Sequence, residues 1–141
     1  MGLVYGQIFL SNPKDETLKP IEVRCLVDSG ATYLCIPETI AIQLKLEEAE
    51  KREVMLADGS VRSVSYVGPV QINFDNRSCY VGAMVMGEQT LLGAIPMEDM
   101  DLVVHPKLFK LSVNPAHPNI AGGYAMKGMD MLVHPLMETK E

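Results

Sequence analysis

The chain has 141 residues, enough for one domain with its own core and too few for two full lobes. Hydrophobic residues make up 48% and charged residues 21%, the balance of a folded chain and not of a disordered one. A net charge of -6, with 12 basic residues that nowhere cluster beyond Lys51-Arg52, excludes nucleic acid and an anionic membrane as main partners. No apolar run approaches the roughly 18 to 20 residues that span a bilayer. The opening Met1-Gly2-Leu3-Val4-Tyr5-Gly6 carries no basic leader, and Gly6 stands where an acylation signal needs Ser or Thr, so neither secretion nor a lipid anchor is expected. Cys25, Cys35 and Cys79 form no closely spaced pair and sit in apolar contexts, which predicts reduced thiols and a cytoplasmic setting.

In chain order, Leu3 to Leu10 predicts a first strand, ended by the turn formers Ser11-Asn12-Pro13-Lys14-Asp15. Ile21, Val23, Cys25 and Val27 then alternate with Glu22, Arg24 and Leu26, the period of a half-buried strand, which stops at Asp28-Ser29-Gly30. Tyr33 to Ile36 predicts a short strand, and Pro37 opens a helix with Ile40 and Leu44 on one face. The mixed-sign run Glu47 to Glu53 reads as a solvated connection. Val54 to Val64 frames Asp58-Gly59, a strong hairpin signal. Gly68-Pro69 is expected to break the second arm, and Val70, Ile72 and Phe74 alternate up to the turn Asp75-Asn76-Arg77. A strand over Cys79 to Met86 follows, then Thr90-Leu91-Leu92-Gly93 and a helix near residues 95 to 101. Leu102-Val103-Val104 and Leu108 to Val113 read as closing strands about the turn His105-Pro106-Lys107. Many short strands with one or two short helices predict a small, mostly antiparallel β domain, a sandwich or a barrel.

The domain is expected over residues 1-114, with 115-141 as a tail rich in Pro and Gly. Residues 126–135 of that tail repeat six of the ten residues of 97–106, too little for a repeat architecture.

Among groups that carry chemistry, Asp28 ends a strand, and Ser29 and Gly30 add a hydroxyl and a permissive backbone. The same three residue types also make ordinary exposed turns. His105, His117 and His134 each precede a proline and read as surface turn positions, and no His or Cys-His group has metal-ligand spacing. Cys25 or Cys35 as a nucleophile would need a neighbouring base that the sequence does not supply. The ten Met residues suit core filling, or an adaptable peptide groove.

Three segments taken together, Leu26-Val27-Asp28-Ser29-Gly30-Ala31, then Ala57-Asp58-Gly59, then Leu91-Leu92-Gly93, resemble the retropepsin-like aspartic proteases of the single-lobe, homodimeric type. The resemblance covers about residues 3 to 114. It implies a closed antiparallel β-barrel of the retropepsin type with one or two short helices. It also implies that Asp28 is catalytic, that Ser29 braces the site across a dimer axis, and that Gly30 and Ala31 support the loop. Ala57, Asp58 and Gly59 would tip a flap over an extended peptide, and Leu92 and Gly93 would be structural. Ser29 stands where Thr is more usual and keeps the hydroxyl; the flap has fewer glycines than viral members. The chemistry needs two carboxylates sharing one proton and no metal or cofactor. The chain holds one such motif, so the second carboxylate is expected from Asp28 of another copy, with activity at mildly acidic pH. The alternative from another class is a dimerising or peptide-binding module of the same fold without turnover.

Overall fold

A computed structural model describes residues 2–123. The alternating stretches form β1 (Val4–Ser11), β2 (Ile21–Val27), β3 (Leu34–Ile36), β4 (Glu48–Met55), β5 (Val61–Phe74), β6 (Arg77–Val85), β7 (Thr90–Leu92), β8 (Leu102–His105) and β9 (Lys110–Val113). Two short helices, α1 (Glu38–Gln43) and α2 (Ala94–Asp99), follow Pro37 and Gly93. The strands pair in the order β1-β2-β7-β3-β6-β5, and β5 returns to β1 through Phe9↔Asn73, Leu10↔Ile72 and Ser11↔Gln71. Six strands therefore close on themselves, the expected barrel. Its ladder is mixed: β2 with β7 and β3 with β6 run parallel, and the other pairings are antiparallel.

Inward residues of period two fill the barrel. Ile8, Leu10, Leu34, Ile36, Ile72 and Leu92 are fully enclosed, joined by Met97 and Met100 beside α2. Each such aliphatic side chain contributes about 1.5–3 kcal/mol by leaving water. Met84 is also buried, so these methionines fill core space.

Two expectations change. The charged run Glu47 to Glu53 is mostly strand, because β4 pairs with β5 from Glu48↔Val67 to Met55↔Val61. β4 is the open edge of the sheet and lies on a projecting ribbon, so its side chains alternate between two largely solvated faces and show no apolar period. Charges at such an edge also discourage pairing with other chains. Gly68-Pro69 does not end the second arm either. β5 runs on through it, and the pairing with β6 slips between Val67 and Val70 in a bulge that bends the strand.

β8 and β9 pair with each other, and β9 packs beside β1, where Leu111 lies over Gly6. The last predicted strand starts later than expected. Pro106–Leu108 forms a 3-10 turn and Phe109 takes a left-handed φ of 51°, since Pro106 fixes φ and lacks an N–H for the ladder.

Beyond β9 the chain returns to the barrel. Arg77 Nη2 donates to the His117 carbonyl, Asn76 Nδ2 donates to the Pro118 carbonyl at 2.9 Å, and the Gly122 N–H donates to Asp101 at 2.8 Å. His105 is half-buried, its Nε2 2.8 Å from Ser112 Oγ, and His117 Nδ1 lies 2.6 Å from Asp101 Oδ2. His134 and the segment 126–135 lie outside the described residues.

Candidate active site

The site starts from the end of β2. Parallel pairing of Val27 with Leu92 aligns the two strands, and the Asp28 N–H extends the ladder by donating to the Leu92 carbonyl at 3.0 Å. The chain then turns. Ala31 N–H donates to the Asp28 carbonyl at 3.1 Å, and Gly30 N–H donates to Asp28 Oδ1 at 2.9 Å, which fixes the carboxylate's orientation. Asp28 is half-buried, while Ser29 and Gly30 are exposed and Ala31 is partly covered. The carboxylate thus stands at an open corner of the barrel.

The loop behind it is anchored to α2. The first N–H groups of a helix have no partner within it, and here Ala94 and Ile95 donate theirs to the carbonyls of Ala31 and Thr32 at 2.8 and 2.9 Å. Gly93 makes this approach possible. A Cβ there would lie 2.4 Å from the Tyr33 carbonyl oxygen and 2.8 Å from that of Ala31, closer than atoms tolerate. The segment Leu91-Leu92-Gly93 therefore supplies a pairing strand, an enclosed side chain and a bare backbone in succession.

The hairpin is local in construction. Leu56 N–H donates to the Ser60 carbonyl at 2.8 Å, Gly59 N–H to the Leu56 carbonyl at 2.9 Å, and Gly59 takes a φ of 87° that suits glycine. Asp58 Oδ1 accepts the Ser60 hydroxyl at 2.6 Å and the Ser60 N–H at 2.9 Å, bonds that hold its carboxyl below the usual range. Ala57, Asp58 and Gly59 are exposed, and Met55 and Val61, opposite each other, are 77% and 57% exposed. Among the described residues no hydrogen bond links this tip to Asp28, whereas Asp28, Gly30, Ala31, Leu92 and Gly93 meet at one corner.

Between corner and hairpin lies a second apolar cluster, which the sequence reading did not assign. Cys35, Val64 and Met84 are buried in it, with Tyr33, Val54, Tyr66, Met86 and Leu91 around them. The rings of Tyr33 and Tyr66 meet edge to face at 6.3 Å. The Arg52 guanidinium lies 3.8 Å over the Tyr66 ring and 2.7 Å from Glu50, a cation held on an aromatic face. A signal existed. Tyr33-Leu34-Cys35-Ile36 and Leu91-Leu92 are unbroken apolar runs, as expected of strands covered on both faces. The inner face fills the barrel and the outer face makes this cluster.

No thiol here suits nucleophilic attack. Burial pushes Cys25 up to about 11 and Cys79 up to about 12. Cys35 is raised by burial and then by the Asp28 carboxylate. An oriented carboxylate facing solvent fits activation of water instead.

The chain matches the family described as gag-polyprotein putative aspartyl protease over residues 18–107, more than half its length and including both the Asp28 corner and the hairpin. No curated protein matches it. Among solved structures, the retroviral protease-like domain of Ddi1 from Leishmania major aligns with a TM-score of 0.52 at 12% identity, covering 81% of this chain and 91% of that one. A retropepsin-like aspartic protease from Rickettsia conorii aligns at 0.44 and 13% identity, covering 74% of this chain and 89% of that one. Simian Foamy Virus (mac) protease aligns at 0.42 and 15% identity, covering 65% of this chain and 91% of that one. At these identities the first of the three shows a shared fold, and the weaker alignments carry no further weight. With the Asp28 loop, the hairpin and the Leu-Leu-Gly brace all in place, the chain belongs to the gag-polyprotein aspartyl protease family, and its barrel is of the retropepsin type.

Proposed function

We propose that the chain is an aspartic endopeptidase that cleaves extended peptides with a water activated by two Asp28 carboxylates on a homodimer axis. The observation that carries this reading is the Asp28 carboxylate itself, oriented by the Gly30 N–H at 2.9 Å at an open corner of a braced loop. The 141 residues hold one Asp-Ser-Gly, and a second copy supplies the second carboxylate. Two like charges on the axis retain one proton between them, so one carboxylate accepts a proton from water while the other donates to the peptide carbonyl. Ser29 braces the two loops, and Gly30 and Ala31 shape the floor. The β4–β5 hairpin closes as a flap, its tip at Ala57, Asp58 and Gly59, and the substrate backbone pairs with it as an added strand. Leu91 and Val54, partly exposed on the outer apolar cluster, present apolar surface to side chains beside the bond cut. Three buried reduced thiols suit a cytoplasmic site of action.

The test is digestion of an unfolded protein by the wild type and by Asp28→Asn across pH of about 4 to 7, where a shared-proton pair works. Wild-type cleavage with a silent mutant is expected. No wild-type cleavage at any of these values, or equal cleavage by the mutant, sinks the reading. Specific activity should also fall on dilution into the monomer; activity linear in protein concentration throughout contradicts a shared site.

A further inference from the structure

We infer that Asp101, with the segment it gathers at residues 114–122, is a clasp that positions the Asp28 loop through α2. The effect on turnover rests on the protease reading; the mechanical link does not.

Helix α2 has six residues, too short to persist without help from its surroundings. Its first amides are committed to the Ala31 and Thr32 carbonyls of the Asp28 loop. Its other end runs through Met100 into Asp101, whose φ of 55° lies in the left-handed region that Asp and Asn enter more readily than most residues. The Asp101 side chain is only 15% exposed and accepts from three groups on one returning segment. Asn114 Nδ2 reaches Oδ1 at 3.1 Å, while His117 Nδ1 and the Gly122 N–H reach Oδ2 at 2.6 and 2.8 Å. The Asp101 carbonyl adds a fourth tie, accepting the Asn114 N–H at 3.0 Å.

The far side of the segment is fastened to the turn between β5 and β6. Asn76 Nδ2 donates to the Pro118 carbonyl at 2.9 Å, and Arg77 Nη2 to the His117 carbonyl. Arg77 is 2% exposed, and its Nε and Nη1 have no partner among the described residues. Lifting the segment removes the one acceptor this guanidinium has among the described residues, so opening exchanges a charge-assisted bond for water. Met97 and Met100 set how deeply α2 sits. The clasp fixes where it ends, and a helix this short transmits that constraint to the loop at its other end.

Asp101 is thus a positioning residue, remote from the reacting atoms. The test is Asp101→Asn in the full chain, which suits the left-handed backbone and the volume but removes the charge and replaces one of the two acceptor oxygens with a donor NH2. Hydrogen exchange at the Ala94 and Ile95 amides should quicken about tenfold or more, the effect of losing charge-assisted bonds, while Ile8 and Leu10 in the barrel change less than about twofold. His117→Ala, at a half-exposed site that does not threaten folding, should shift the same two amides less. In the peptidase assay kcat should fall with KM unchanged. Unaltered exchange at Ala94 and Ile95 overturns the clasp, and so does an equal rise at Ile8 and Leu10. Local opening without any fall in kcat overturns its role in positioning. A wild type without peptidase activity removes the protease reading, and amide exchange still decides the clasp.

Discussion

At both Asp28 and Asp58 a carboxylate Oδ1 accepts the N–H of the residue two places on, at 2.9 Å, and in both a glycine and a serine complete the turn. Locally the two corners are the same device. Asp28 adds a ladder bond to Leu92 and a loop held by two helix amides over a bare Gly93. Asp58 adds a bond from its neighbour's hydroxyl and otherwise meets solvent. What separates a fixed carboxylate from a free-standing hairpin tip is the long-range bracing around the turn, and only a braced group holds its aim through a reaction.

The sharpest way to break this comparison is the same substitution at each corner. Asp28→Asn should lower peptide hydrolysis by at least about 100-fold, the scale of a general acid–base group, and Asp58→Asn, at the proposed flap tip, should lower it far less and through KM; comparable losses of kcat in both would erase the distinction. Next come the braces. Leu92→Ala, at a fully enclosed side chain, should cost about 2–5 kcal/mol in denaturant unfolding. Gly93→Ala drives a Cβ into two carbonyl oxygens and should cost about 1–3 kcal/mol, with activity falling further than stability because the Asp28 loop must yield.

A smaller effect is tied to pH. The Gly122 N–H, Asn114 and His117 hold the Asp101 carboxyl down to about 2, below its ordinary 3.8. A carboxyl lowered on folding stabilises the fold above its unfolded value, and that gain fades as pH falls through the folded one. Thermal melts should therefore show wild type exceeding Asp101→Asn at about pH 5 and the gap narrowing toward about pH 2. Smallest of all, Asp58→Ala should leave the melting temperature unchanged within error, because its bonds are exposed and local.

Much of this was legible in the chain. The strand into Asp28, the Asp-Gly hairpin and the Leu-Leu-Gly helix entry each rest on short-range rules of alternation and turn chemistry, and each stands where those rules put it. What escaped depends on partners distant in sequence. β4 hid behind charges because most of its side chains are solvated and only Arg52 and Val54 are partly covered, and the parallel pairing of β2 with β7 leaves no mark on either strand's period. The Gly68-Pro69 break became a bulge because pairing with β6 resumes beyond it. The apolar outer face of Cys35, Met84 and Leu91 was masked by equally apolar inner neighbours. The ties of residues 114–122 run largely through backbone carbonyls and amides, which side-chain identity does not report.

β5 spends its first residues on the projecting hairpin and its last on closing the barrel against β1, with the slip between Val67 and Val70 dividing the two. That division gives the molecule a mechanical seam. Changes of length, charge or tip residue ahead of the seam leave untouched the pairing of Gln71 to Asn73 with β1 that shuts the barrel. One strand thus carries an exposed arm and a barrel-closing segment whose pairings do not overlap.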